Sequence, residues 1–489
     1  MSSLFLFSGI FIWFAVGTFL SWTARKELGK GMTEYFLANR SVGGVLSALT
    51  YSATTYSAFM MVGLVGLTYK TGVTSLGFEL TYLIGTVFLL ALFAPRYWSA
   101  GRRFNLLTPA EMLSFRYNSP AVGIAAAVLC IVMLIPYAAV QLMGTGYLLE
   151  TLSRGAISFR AATIIAAAMS FIFSWWAGLR SVALTDALQS GIMLVASILL
   201  AVFVAFVLLP GGPLGFSQTN PALLEVSWPF PMFIGLTLPW FFFAVTNPQV
   251  VQRLYSPRSV GSIRKMILGF SFFGFVYTIL CVYLGFASAE LVPGLDVADN
   301  AMAALLSLVP RPLALIVALS IIAAAVSTMN SIILTLSSMF GRDILKAAIP
   351  TLDENWEMLL SKAFIPVITM VCLIFAQYRF NLIAILSSMA SGGLLMQLPA
   401  VIGAFFWKRS SASGAFWSIV TGGILTGSLY ITGAKPLGQW PPVWGLLLSA
   451  TVFLLVSLFT SPPARAGSFL SSINDDINGI FAKKEKSRD

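Results

Sequence analysis

The sequence predicts an all-α integral membrane protein of about thirteen transmembrane helices, with its N-terminus outside and its C-terminus inside. Three observations predict it. The 489 residues are 58% hydrophobic and only 10% charged, with a mean hydropathy of +0.88, whereas an average soluble domain is about 25% charged. Apolar runs of about 20 residues, the length that crosses a bilayer, recur along nearly the whole chain. The basic residues also sort by side once these runs are threaded alternately through a membrane.

The spans run at about 4–22, 43–69, 75–95, 120–150, 161–178, 182–209, 230–247, 265–288, 312–340, 363–378, 381–407, 414–433 and 441–461. The first, ending at Trp22, has no Lys or Arg ahead of it and no small-residue cleavage site behind it. It reads as a retained helix and not as a leader. Connections are short, so residues 1–461 read as one transmembrane domain. Residues 462–489 read as a polar cytoplasmic tail, basic at its end through Lys483, Lys484, Lys486 and Arg488. With the N-terminus outside, 23 of the 29 Lys and Arg residues lie inside. The other 6 are Lys70, Arg154, Arg160, Arg311, Arg379 and Lys435, which leaves no basic residue in a membrane core. One helix more or fewer scrambles that split. Glu79 falls near the outer end of its span and reads as interfacial.

Composition also narrows the function. The net charge is +11, but the basic residues are scattered through short loops. That pattern fits topology signals and anionic lipid headgroups, not nucleic acid. There is no histidine, and Cys130, Cys281 and Cys372 each lie in an apolar span without CxxC spacing. They read as small buried hydrophobes, with no disulfide framework or cysteine metal centre. No His or Cys constellation and no phosphate-cradling loop offers enzyme chemistry, so the chain reads as a non-enzyme.

Function in a membrane protein sits where the lipid rules fail. The second span carries Ser47, Thr50, Ser52, Thr54, Thr55 and Ser57. Hydroxyl side chains compete for backbone hydrogen bonds and weaken a helix. An unwound turn at this depth is tolerated only where it is buried or lines a cavity, and its freed carbonyls are hard ligands for a small cation. The plainer alternative is close packing through small residues. The ninth span places Ser327, Asn330 and Ser331 at i, i+3 and i+4 on one face, bordered by Thr328. Together the two spans supply oxygens for a monovalent ion. Asp186, in the sixth span, is costly in a membrane and is a functional candidate by default; a snorkelling or hydrogen-bonded carboxylate is the alternative. Pro239 and Pro248 break the seventh span around an aromatic run, Trp240 to Phe243. Breaks in the second and seventh spans, five helices apart, suit a 5+5 inverted repeat around a midplane site. The repeats fall at about 43–209 and 230–407, with an extra helix in front and two further helices at about 414–461.

At these residues the chain resembles the sodium:solute symporter family. The resemblance spans about residues 1–460 and rests on the order and position of several motifs. These are Glu34 to Ser41, the small-polar stretch ending at Gly63, Gly178 to Gln189 with its Thr-Asp core, Asn247 to Arg253, the Ala-Ser-Thr run of the ninth span, and Gly341 to Ile344. The resemblance implies a leucine-transporter-like fold and a coupling sodium ion. The sodium ligands it implies are the carbonyls of Ala53, Tyr56 and Ala324 with the hydroxyls of Ser327 and Thr328. A second sodium, used by some members, implies Asp186, Asn330 and Ser331.

The departures bear on the solute. Proline transporters of the family carry an aspartate where this chain has Thr55, and sugar transporters a polar pair where it has Phe59 and Met60. Proline and sugar are therefore disfavoured. An apolar pocket near Thr55, Phe59, Met60, Trp240 and Phe243 suits a short organic acid, a pantothenate-like acid or an amino acid. The expectation is sodium-coupled symport by alternating access in a cell membrane, and a monomer is sufficient for it. Proton coupling through Asp186 on the same fold is the alternative, and a membrane solute sensor is a further one.

Overall fold

A computed structural model describes residues 3–26, 29–216, 220–379 and 382–485. Among these residues the structure is helical throughout, with one isolated bridge between Val42 and Pro257. Ten helices are long and apolar enough to cross a membrane, and two shorter apolar helices span Phe159–Trp175 and Phe230–Phe241. The remaining apolar segment is interrupted: Gly44–Thr55 and Val65–Thr71 are α-helical, and Phe59–Leu64 is a wider π turn between them.

The Arg311–Met339 helix is the axis of the molecule. From Ser320 to Met339 every residue is buried, so this helix is covered by protein on all sides and not by lipid. It packs against the Phe159–Phe203 segment and the Pro120–Leu152 helix. The lipid-facing helices contrast with it. Ser3–Lys26 exposes Phe11, Ile12 and Phe19, and Val260–Leu291 exposes Leu268 and Phe272, as a surface solvated by acyl chains requires.

The Phe159–Phe203 segment bends at Gly178, whose backbone sits at φ 60°, ψ −153°. That conformation is open to glycine and strained for other residues. The bend also releases carbonyls from the helical ladder. The Tyr35 hydroxyl donates to two of them, Ser174 (2.9 Å) and Trp175 (3.1 Å). The Tyr35 carbonyl lies where a Cβ at residue 178 would stand, so the loop before the first broken helix is locked into the bend.

Three expectations need correction. The segment read as a tail contains the Ala466–Glu485 helix. Its Phe469, Ile473 and Ile477 recur at helical spacing and are buried, and Phe469 stacks on Phe104 (5.2 Å). Asp476 pairs with Arg103 (2.9 Å) and accepts from Ser99 (2.6 Å). Polarity along the sequence hid the apolar stripe. Lys486 and Arg488 lie outside the described residues. Arg253, counted above as a loop residue, is buried, because the seventh span continues past its break as Pro248–Arg253. Glu79, read as interfacial, is 0% exposed, on a helix that packs against the Val260–Leu291 and Phe230–Phe241 helices.

Gly178→Ala is expected to lower the thermal midpoint of the detergent-purified protein. The strain is about 1–3 kcal/mol, and the clash with the Tyr35 carbonyl adds to it. An unchanged midpoint would remove the bend from the account of stability.

Candidate functional site

Two helix breaks with nearly the same backbone geometry define the site. At the first, Gly44–Thr55 ends on Tyr56 at φ −93°, ψ 105°. At the second, Phe243–Thr246 ends on Asn247 at φ −90°, ψ 112°. The first break follows from the hydroxyl-rich stretch before it. Thr55 Oγ1 donates back to the Tyr51 carbonyl (2.7 Å), and Ser57 Oγ accepts from the Phe59 amide (3.1 Å) to start the next helical piece. The second follows from Pro248, which pushes Asn247 into an extended conformation and then opens the Pro248–Arg253 helix at its first position. The Gln397 amide donates to the freed Thr246 carbonyl.

The Arg311–Met339 helix crosses the first break. Ser327 Oγ lies 3.1 Å from the Ala53 carbonyl oxygen and 2.9 Å from that of Ala324. Thr328 Oγ1 lies 3.1 Å from the Ala53 carbonyl and 3.4 Å from that of Thr54. Ala53, Ala324, Ser327 and Thr328 thus converge on one spot, and Tyr56 supplies the first carbonyl beyond the helix end. All five residues are buried. The set is neutral and entirely oxygen. A small monovalent cation fits it by charge and by hardness, and a divalent ion would want carboxylates that it lacks. Bound there, sodium would be held by these oxygens and would tie the break to the Arg311–Met339 helix.

The residues expected to hold a second sodium are drawn into a different arrangement. Asp186 Oδ2 accepts from Thr50 Oγ1 (2.6 Å) and lies 3.8 Å from Arg253 Nη2. Arg253 Nη2 donates to Ser331 Oγ (2.6 Å) and its Nε to Thr54 Oγ1 (3.3 Å), and Thr54 and Ser331 share a 3.0 Å hydrogen bond. Asn330 Oδ1 instead accepts from Ser174 (3.3 Å). Sequence reasoning missed Arg253 and Thr54. The signal was present: Arg253 ends the motif that starts at the second break, and a half-helix there turns it inward.

The aromatic residues form a stack. Phe59 lies on Trp240 (4.9 Å), and Trp240 on Phe243 (5.2 Å). Tyr82 meets Trp240 edge-on (5.4 Å), and Trp240 Nε1 donates to Ser388 Oγ (2.7 Å). Met60 is buried beside Phe59, and Thr55 turns its hydroxyl into its own helix. Phe78, Tyr82 and Ser388 were not foreseen, though Phe78 and Tyr82 lie one helical turn apart. Between them is Glu79, with no hydrogen-bond partner for either carboxylate oxygen. The Tyr56 and Tyr82 hydroxyls are also buried without a hydrogen-bond partner in the protein.

Known proteins resemble the chain in this geometry. A model of the sodium:solute symporter family matches residues 35–422. A sodium/pantothenate symporter of Escherichia coli is 28% identical, over 90% of this chain and 93% of that one. The sodium/proline symporter of Staphylococcus aureus is 24% identical, over 97% and 96%. Among solved structures, the substrate-bound outward-open state of a Na+-coupled sialic acid symporter superposes with a TM-score of 0.79 at 18% identity, covering 94% of this chain and 98% of that one. Its likeness carries the fold.

Trp240→Phe keeps the stack and removes the donor to buried Ser388. The expected cost is about 1–3 kcal/mol, read as a lower thermal midpoint that Ser388→Ala in the same chain partly restores. Failure of that rescue would mean that the hydrogen bond does not hold the stack.

Proposed function

The chain belongs to the sodium:solute symporter family, and from that premise we propose how its site couples sodium to a solute. It is a sodium-driven symporter of a multi-pass membrane protein class, and its family and neighbours are transporters rather than enzymes. The proposed coupling site is the carbonyls of Ala53, Tyr56 and Ala324 with the hydroxyls of Ser327 and Thr328. The observation that carries it is the approach of both hydroxyls to the Ala53 carbonyl, 3.1 Å each, at the helix break.

The proposed cycle is alternating access. Sodium enters from outside, draws the first broken helix onto the Arg311–Met339 helix, and so orders the pocket. A membrane potential adds about 2.3 kcal/mol per charge per 100 mV. Sodium and solute strengthen each other's binding reciprocally. The proposed topology is about thirteen helices with the N-terminus outside. The ten long apolar helices, the two shorter ones and the interrupted Gly44–Thr71 segment support that count, and the split of basic residues, 22 to 6 once buried Arg253 is set aside from the 23, supports the orientation. The proposed repeats are about 43–209 and 230–407.

The proposed solute is a small, partly apolar organic acid or amino acid that also carries a hydrogen-bond donor. Phe59, Met60, Trp240 and Phe243 would cover its apolar part, with Thr55 at the break. Glu79 would accept from its donor, which would explain a buried carboxylate with no partner in the protein. Pantothenate-like acids and amino acids meet this description; the relatives above carry pantothenate and proline.

Ser327→Ala and Thr328→Ala are each expected to raise the sodium concentration for half-maximal uptake about tenfold, or about 1.4 kcal/mol. Sodium activation unchanged in both would sink the site. Glu79→Gln is expected to raise the KM for solute by ten- to a hundredfold, as for a lost charged hydrogen bond of about 1.5–3 kcal/mol, with sodium activation little altered. A shift in sodium activation alone would move Glu79 out of the solute pocket.

A further inference from the structure

Arg253 stands where a second coupling ion was expected. Asp186 and Ser331, two of the three side chains implied for that ion, face its guanidinium at 3.8 and 2.6 Å. The side chains of Arg253 and Asp186 are 1% and 0% exposed, so water does not screen the pair. We infer that Arg253 is a tethered cation that fills the place of a second sodium, so that a single sodium ion accompanies each solute. This rests on the sodium-symport reading above and concerns a different set of residues.

The chemistry supports it in three ways. First, charge: Asp186 carries one negative charge, and Arg253, which stays protonated in proteins, already balances it. A sodium ion added to the cluster would face the guanidinium as a like charge in a buried site. Second, lone pairs: Ser331 Oγ accepts from Arg253, Asn330 Oδ1 accepts from Ser174, and Asp186 Oδ2 accepts from Thr50. Three of the oxygens an ion would use are thereby turned to donors of the protein, and Asp186 Oδ1, which has no hydrogen-bond partner, belongs to the carboxylate that the guanidinium faces. Asn330 adds its amide nitrogen, a donor without an acceptor. Third, contrast: among the described residues no basic side chain bonds to the Ala53 carbonyl or the Ser327 and Thr328 hydroxyls, so the first site keeps its appetite for a cation.

The placement has a mechanical consequence. Arg253 ends the Pro248–Arg253 helix, just beyond the second break. Through Thr54 and Ser331 it reaches both the first broken helix and the Arg311–Met339 helix. The second break therefore brings its own positive charge to the junction of the two repeats, and that charge cannot dissociate.

The test is a count of radiolabelled sodium bound at saturation per full-length chain in detergent, with sodium as the only probe. The inference expects about one ion in the wild type and in Arg253→Lys. It expects about two in Arg253→Ala, falling back to one when Asp186→Asn is added. Two ions on the wild-type chain, or the loss of one from a count of two by Asp186→Asn alone, would overturn it. So would a folded Arg253→Ala protein that still binds one. If Arg253→Ala does not fold, the wild-type count decides. Zero ions on the wild type would instead overturn the sodium site itself, and this inference with it. The thermal midpoint of each variant checks that it is folded.

Discussion

A backbone carbonyl released at membrane depth has to find a partner, and the architecture is organised around that requirement. Hydrocarbon offers none. At the first break the partners are Ser327 and Thr328, donated by the most deeply buried helix of the molecule. At the second, the Gln397 amide meets the Thr246 carbonyl. At the Gly178 bend, the Tyr35 hydroxyl serves two carbonyls. Each irregular stretch is thus held by a side chain from a distant part of the sequence. Because the partner at the first break is a pair of hydroxyls, a cation can substitute for the hydrogens they donate there. The same local defect that costs stability supplies the oxygens of the proposed ion site.

Charge is handled differently at two levels along that helix. The oxygens near Ala53 are neutral, so a monovalent ion is welcome there. A few residues further along, the chain has placed Asp186 and Arg253 together with hydroxyls that accept from the guanidinium. A buried pair of this kind is weak evidence for stability, since desolvation offsets its attraction. Its value lies in fixing which helices meet, because Thr50, Thr54, Asp186, Arg253 and Ser331 come from four separate segments. Glu79 is a third case, a buried carboxylate whose oxygens have no hydrogen-bond partner in the protein.

The Ala466–Glu485 helix shows how a largely polar segment joins the fold. Its apolar stripe covers Phe104, Phe115 and Phe405, and Asp476 ties it to the end of the Thr74–Arg103 helix. A segment with little apolar content still docks when that content recurs every turn.

The sequence by itself determined the class of the molecule, the places where its helices break and the family it belongs to. These are local properties: apolar run length, Pro248, a cluster of hydroxyls before Tyr56, and motifs in a fixed order; Pro239, read as a second breaker, lies inside the Phe230–Phe241 helix, which continues through it. Hydroxyl spacing also put Ser327 on a polar face bordered by Thr328, and the family resemblance implied Ala53 opposite them. Only the tertiary structure decided what those residues meet. Arg253 read as a loop charge until a half-helix turned it toward Asp186, and Glu79 read as interfacial until neighbouring segments closed over it. Burial and partnership depend on contacts between residues far apart in sequence, and neither periodicity nor composition encodes which distant side chain arrives. That is why the hydroxyls of Ser327 and Thr328 were legible and the guanidinium of Arg253 beside them was not.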